Sequence, residues 1–266
     1  MKKLGIILTL IFLGLVGIHF LLAPSKNEFA EEDLLDEIRA RKELRVGINI
    51  DAKPFGFVDK NENFAGYNVD LAKLLAEYII PDSKKITIIP VNLSNRLIKA
   101  STGEVDMVIS TVTITPQREE IVSFSIPYDY AGQAILVKAN SKISSMADLA
   151  GENVGVIFGT TAEKNMPKLV PNANLIGFKS YNDAYNALKS NKISAITSDD
   201  TILSRYAISD SSIKLLPKRY SREPYGIAFK RGLSTTRFKE LVNFAIRDLQ
   251  EKNEIKKLHN RWGISE

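Results

Sequence analysis

Two arginines stand where a cation is electrostatically out of place. Arg118 falls in the first turn of a helix opened by Thr115 as cap and Pro116 at the first helical position; Arg96 falls in the first turn of a helix that Ser94 would cap. The partial positive charge of a helix N-terminus disfavours a guanidinium and favours an anion, so each position calls for a negative partner. Around Arg118 the exposed backbone N–H groups, the Thr113 hydroxyl and the two-pronged guanidinium would together cradle a carboxylate. The residues alone also allow simpler arrangements: a surface ion pair of Arg118 with Glu104 or Glu119, and an Arg96 that faces solvent. A second device follows later, where Gly159-Thr160-Thr161 ends a strand and opens a helix, with Glu163 three residues after Thr160 as in a capping box. Capping still leaves Thr161 able to meet a carboxylate from the other side of a cleft. Asp199 and Asp200 follow another strand, where both could serve as helix caps.

Most other chemistry lacks its parts. The chain has no cysteine and two histidines, His19 and His259, which removes disulfides, structural zinc and Cys- or His-based nucleophilic catalysis. A catalyst here would have to use carboxylates, lysine or tyrosine. Lys and Arg are interleaved with Asp and Glu, so the formal net charge of +5 forms no basic stripe for nucleic acid. At 266 residues, 44% hydrophobic and 25% charged, the chain can bury one large or two medium cores.

The elements that position these residues read as strands alternating with helices. Residues 1–30 come first as a targeting segment, in which Lys2 and Lys3 precede a nearly continuous apolar run from Leu4 to Ala23. Such a run is long enough to span a bilayer and the cleavage signals near Ala23 and Ala30 are poor, so a cleaved signal peptide and an uncleaved N-terminal membrane anchor both stay open. The charged stretch 31–43 reads as a linker. From Leu44 a strand, a helix over Val69 to Ile79, and strands at Ile86 to Val91 and Val105 to Ser110 make one α/β set. A second set follows residue 133, with strands at Val154 to Ile157, Leu175 to Phe178 and Ile193 to Thr197. The expected fold is α/β with two lobes, each a mainly parallel sheet flanked by helices. Lobe 1 takes 44–132 and 225–266, lobe 2 takes 133–224, and crossings fall at Ala131-Gly132-Gln133 and Arg222-Glu223-Pro224. Ligands of such sheets bind beyond the carboxyl ends of the strands, where the arginines and acids above lie.

Nine strings occur in order: Pro54-Phe55-Gly56-Phe57, Gly66-Tyr67-Asn68-Val69-Asp70-Leu71-Ala72, Gly103-Glu104-Val105-Asp106, Thr113-Ile114-Thr115-Pro116-Gln117-Arg118, Phe124-Ser125-Ile126-Pro127-Tyr128, Asp148-Leu149-Ala150-Gly151, Gly159-Thr160-Thr161, Tyr225-Gly226-Ile227-Ala228 and Trp262-Gly263. Together they resemble the family 3 solute-binding proteins of polar amino-acid ABC importers, over about residues 44 to 264. Asn68 and Ser194 depart from that pattern, standing where an acidic residue is usual. The resemblance implies a periplasmic-binding-protein type II fold whose lobes close about a two-crossing hinge. It also implies an extracytoplasmic, monomeric binding protein, not an enzyme and without cofactor or metal. Its partners would be a free amino acid, an ABC permease and, through it, ATPase subunits. The membrane would be reached through residues 1–30 if these are uncleaved, and nucleic acid is not a partner. By the same resemblance Arg118, Thr113 and Thr161 would hold the α-carboxylate, Asp199 and the Thr111 carbonyl would take the α-ammonium, and Thr160 would be a further ligand-binding position. Asp200 is left as a solvated cap, and Phe124, Tyr128 and Trp262 as packing residues.

Side-chain selectivity is expected from four positions. Members that bind neutral or cationic amino acids sandwich the side chain between aromatics, and the matching positions here are Ala52 and Leu93. Val91-Asn92-Leu93-Ser94-Asn95-Arg96 resembles members selective for glutamate or aspartate, with Arg96 on the side-chain carboxylate. Asn49 stands where some acidic-amino-acid binders have lysine, which would also admit glutamine. The expected order is glutamate or aspartate ahead of glutamine. The alternative is a carboxylate-using dehydratase of the same fold, similar to cyclohexadienyl dehydratase, for which Glu223 and Asp200 are the nominated acids. Transglycosylase and sensory readings need a further domain downstream, which is not expected.

Overall fold

The computed structural model describes residues 32–264, so the targeting segment 1–30 lies outside the described residues. Among the described residues no helix is long and apolar enough to cross a membrane. The stretch 31–43, expected as a linker, holds a helix, α1 (Leu34–Arg41). The Asp33 carboxylate caps it by accepting from the N–H groups of Leu35 and Asp36, and Leu35 and Ile38 enter the core. Two apolar residues one turn apart in a charged stretch are too few to announce an amphipathic face. The surface they pack on, a helix near the C-terminus, supplies the reason for folding.

Three sheets carry the rest. In chain order the strands are β1 (Leu44–Asn49), β2 (Asp51–Ala52), β3 (Gly56–Val58), β4 (Phe64–Ala65), β5 (Ile86–Val91), β6 (Met107–Thr113), β7 (Ser123–Phe124), β8 (Asp129–Ala131), β9 (Gln133–Lys138), β10 (Asn153–Ile157), β11 (Asn174–Phe178), β12 (Ala195–Asp199), β13 (Ile213–Leu215) and β14 (Glu223–Phe229). The first sheet has the order β5-β1-β6-β14-β7, with β8 also on β14; the second has the order β11-β10-β12-β9-β13. Strands β2, β3 and β4 form a small meander. After α1 the helices are α2 (Tyr67–Ile79), α3 (Arg96–Thr102), α4 (Pro116–Glu119), α5 (Thr161–Leu169), α6 (Tyr181–Lys189), α7 (Asp200–Ser209), α8 (Thr236–Glu251) and α9 (Glu254–Trp262).

Each sheet is parallel only where strand-helix-strand units build it: β1 with β5 and β6, and β10 with β11 and β12. The strands that carry the chain between sheets run antiparallel to their neighbours, because one leaves and another returns. Strand β1 presents Leu44, Val46 and Ile48 to Leu71, Leu75 and Ile79 of α2, all essentially inaccessible to water. Each such side chain contributes about 1.5–3 kcal/mol, so the first sheet is a firm platform for whatever its strand ends carry.

The chain passes from the first sheet to the second at Gly132, between β8 and β9, and returns between β13 and β14. A Cβ on Gly132 would lie 2.9 Å from both the Arg219 Cβ and the Ser221 carbonyl oxygen, so a residue without a side chain lets the two crossings run side by side. Asp200 is not a solvated cap. Its carboxylate accepts from the Gly132 N–H at 2.8 Å and pairs with Arg219 Nε at 2.6 Å, which ties one crossing to the other.

Candidate functional site

Thr115 caps α4 as its sequence suggests, accepting from the Arg118 N–H at 3.3 Å with Pro116 at the first helical position. This aims the Arg118 side chain back under the sheet, 7% exposed, where Nη1 donates to the Thr113 carbonyl at 2.7 Å. Glu104 pairs with Lys99 instead, so the surface ion pair considered for Arg118 is not made with it. Arg96 begins α3, but Ser94 is not its cap. Asn95 holds that position, and the Asn92 side chain accepts from the N–H groups of Ser94 and Asn95 at 2.9 and 3.0 Å. Arg96 is buried and donates from Nη1 to the carbonyls of Ser110 at 2.5 Å and Thr111 at 3.3 Å. The negative partner that its helix position called for is thus met, in part, by carbonyl oxygens.

Those carbonyls lie at an irregularity of β6. The pairing of β6 with β14 shifts register between Gly226 and Ala228, and Thr111 has φ 46°, the left-handed region that a β-branched residue rarely occupies. Such backbone is held only where surrounding contacts over-determine it. Here the Arg96 guanidinium receives the redirected carbonyls.

The second sheet supplies the opposing wall. Thr160 caps α5, accepting from the Glu163 N–H at 3.4 Å, while Glu163 Oε2 accepts from the Gly159 N–H at 2.8 Å, a capping box shifted by one residue. Gly159 has φ +81°, and a Cβ there would lie 2.8 Å from the Leu93 carbonyl oxygen of the first lobe. Its own carbonyl accepts from Arg118 Nη2 at 2.9 Å and from Arg96 Nη2 at 3.3 Å. One turn of the second lobe is therefore fastened to both arginines of the first.

Asp199 ends β12, 6% exposed, and accepts from the Tyr225 hydroxyl at 2.5 Å. Burial pushes its carboxyl up to about 6, against the opposing pull of the Tyr225 hydrogen bond and of Arg96 and Arg118. Burial likewise brings Arg118 down to about 10, reinforced by the like charge of Arg96, and lowers Arg96 as well. At about 10, the Arg118 guanidinium remains charged at neutral pH.

Leu93, Arg96, Thr111, Thr113, Arg118, Thr160, Thr161, Tyr181 and Asp199 line one narrow cavity between the two sheets. Seven of the eight expected site residues are therefore brought together: Arg96, Thr111, Thr113, Arg118, Thr160, Thr161 and Asp199. Asn49 is not among the lining residues. It is buried at the end of β1, where its Oδ1 accepts from Asn68 Nδ2 at 3.3 Å. Sequence reasoning missed Tyr181, whose hydroxyl lies 3.1 Å from Ser198 Oγ, and gave Tyr225 no role. Leu93 lines the cavity as an aliphatic wall, as its position implied. Among the described residues no cluster of His, Asp or Glu suits a metal ion. A cation and an anion fixed on facing walls of a water-poor cavity can hold a zwitterion by both ends.

Known proteins share this organisation. The family described as bacterial extracellular solute-binding proteins, family 3, matches residues 44–265. A glutamine-binding protein of Geobacillus stearothermophilus is 37% identical over 207 residues, 77% of this chain and 79% of that protein. The ABC transporter glutamine-binding protein of Bacillus subtilis (strain 168) is 32% identical over 235 residues, 88% of this chain and 85% of that one. A solved structure of an ancestral amino acid-binding protein, a precursor of cyclohexadienyl dehydratase, superposes with TM-score 0.78 at 33% identity, covering 86% of this chain and 99% of the other. This chain belongs to the bacterial extracellular solute-binding proteins, family 3.

Proposed function

We propose that the protein is the extracytoplasmic amino-acid-binding subunit of an ABC importer, closing around one free L-amino acid and delivering it to a membrane permease. The observation that carries this reading is the convergence of Arg118 and Asp199, from different sheets, on one cavity. Arg118 with Thr113 and Thr161 would take the α-carboxylate, and Asp199 the α-ammonium. The relatives are binding proteins, two of them for glutamine, and the ancestral protein is itself amino-acid-binding. The dehydratase alternative is not favoured by its nominated acids: Asp200 ties the two crossings, and Glu223 accepts from Ser221 Oγ at 2.6 Å.

For the side chain we favour glutamine over the glutamate or aspartate expected from Arg96. Arg96 Nη1 and Nη2 donate to the carbonyls of Ser110, Thr111 and Gly159 just as Arg118 Nη1 and Nη2 donate to those of Thr113 and Gly159, so the charge around the two guanidiniums is what bears on the side chain. Asp51, half-buried and with its carboxyl raised by burial, feels the charge of Arg96, while Asp199 and Glu223 act on Arg118. Counted together, these carboxylates leave no surplus positive charge for an acidic side chain to neutralise. A carboxamide, donor and acceptor at once, fits that balance better. Calorimetric titration with the twenty amino acids tests it: glutamine should bind tightest, and a tighter glutamate or aspartate would restore the acidic assignment.

The family is one of extracellular proteins. Residues 1–30 would bring the chain across the membrane, and as an uncleaved anchor they would keep a monomeric binding protein beside its permease and the attached ATPase subunits.

A further inference from the structure

Tyr225 belongs to the first sheet but serves the second. It lies on β14, opposite Thr113 of β6 and Asp129 of β8 in the sheet register. Its ring is fully buried against Phe55, centroids 6.1 Å apart and nearly perpendicular, and against Tyr128 at 6.3 Å. This packing fixes the phenol in two dimensions and lets only the hydroxyl leave the sheet. The hydroxyl meets Asp199 Oδ2 at 2.5 Å and Thr201 Oγ1 at 3.2 Å, both on the second-sheet side of the hinge. Asp199 itself pairs with Gln133, the first residue after the crossing at Gly132.

We propose that Tyr225 is the positioning residue of the ammonium-binding carboxylate: anchored in one lobe, it holds one oxygen of Asp199 in the other and leaves the second oxygen to the ligand. The proposal rests on the reading that Asp199 receives the α-ammonium. A buried carboxylate without a donor is costly, and a hydrogen bond to the charged form favours that form. The charged groups around Asp199 are Arg96 from α3, Arg118 from α4 and Glu223 from β14, with the phenols of Tyr225 and of Tyr181 from α6 beside it. Glu223 and burial both push the carboxyl toward protonation, so the Tyr225 bond and the two arginines oppose them. Because the bond lies beside the hinge crossing rather than at the cleft mouth, it aims Asp199 before the lobes close. Thr201, donating to the phenol oxygen, would strengthen that donation.

The test is calorimetric titration between pH 5.5 and 9 of the wild type, Tyr225→Phe and Thr201→Val. The probe is L-glutamine, or whichever amino acid of the panel binds tightest. Tyr225→Phe should bind about tenfold to a hundredfold more weakly at pH 7, the loss of one hydrogen bond to a charged group, and recover most of that affinity by pH 9. Thr201→Val, which keeps the phenol, should move the acid limb the same way by less, and it decides the matter if Tyr225→Phe does not fold. A profile in both variants that parallels the wild type, whether uniformly weaker or unchanged, overturns the positioning role and leaves the amino-acid site standing. A wild type that binds no amino acid overturns both.

Discussion

The Tyr225 hydroxyl, carried by the first sheet, donates to Asp199 at the end of a second-sheet strand, 2.5 Å away, with Tyr225 0% and Asp199 6% exposed. Their in-register partners, Asp129 for Tyr225 and Gln133 for Asp199, flank the crossing at Gly132. On the proposed reading the ammonium end of the ligand would sit at the crossing itself. The carboxylate end would sit away from it, where Gly159 meets Leu93, Arg96 and Arg118 across the cleft. A hinge closure would then have a fixed half and a moving half.

Binding should weaken in mild acid. The Asp199 carboxyl lies at about 6, pushed up by burial, and an ammonium pairs only with its ionised form. Affinity should be flat above that value and fall roughly tenfold per unit below it. For the free protein the sign is opposite: the folded value exceeds the unfolded value of about 3.9, so this group's contribution to stability is lost as pH rises from about 4 through 6. Titration calorimetry from pH 4.5 to 8 checks the first statement, and an affinity independent of pH across that range would contradict it.

Gly159→Ala should impair binding as well as stability. The new methyl would sit 2.8 Å from the Leu93 carbonyl oxygen, across the cleft, on a residue whose φ of +81° already disfavours a side chain. We expect an affinity loss of about 1–3 kcal/mol, the usual cost of an overpacked contact, beside a loss of about 1 kcal/mol in the stability of the ligand-free protein from the strained φ. Unchanged affinity would show that the Gly159 turn does not approach Leu93 in the bound state.

Arg96→Gln should weaken binding of every amino acid by tenfold or more. The guanidinium serves the carbonyls of Ser110, Thr111 and Gly159, and each acceptor left buried without a donor costs about 1–3 kcal/mol. Parallel titrations with glutamine and glutamate distinguish this from a side-chain role: loss of glutamate binding alone would return Arg96 to the acidic-ligand assignment.

What the sequence made legible was local. Thr115-Pro116 announced the helix that aims Arg118, and Thr160 with Glu163 announced the turn at Gly159, because caps act within four residues. Arg96 was legible as a cation in need of a negative partner, but not that Ser110 and Thr111 carbonyls, turned by an irregular strand, would supply it. Asp200 passed for a solvated cap since its partner Gly132 is 68 residues away, and Tyr225 was given no role since its acceptor depends on the register of two sheets. Helix α1 was missed because Leu35 and Ile38 signal burial only once α8 is in place to cover them.

The targeting segment makes a separable prediction. If residues 1–30 act as an uncleaved anchor, full-length protein should stay in the membrane fraction after alkaline carbonate washing, and its intact mass should include the residues near Met1. A soluble form beginning near residue 24 or 31 would identify a cleaved signal instead.

Whether Arg118 and Asp199 hold the two ends of one amino acid is decided by calorimetric titration of L-glutamine into the wild type, Arg118→Ala and Asp199→Ala at pH 7.5. The wild type should bind one equivalent, and each variant should lose about 2–5 kcal/mol of binding free energy, since each leaves the opposite charge unpaired in a desolvated site, while circular dichroism stays unchanged. Wild-type affinity retained by either folded variant would contradict the account.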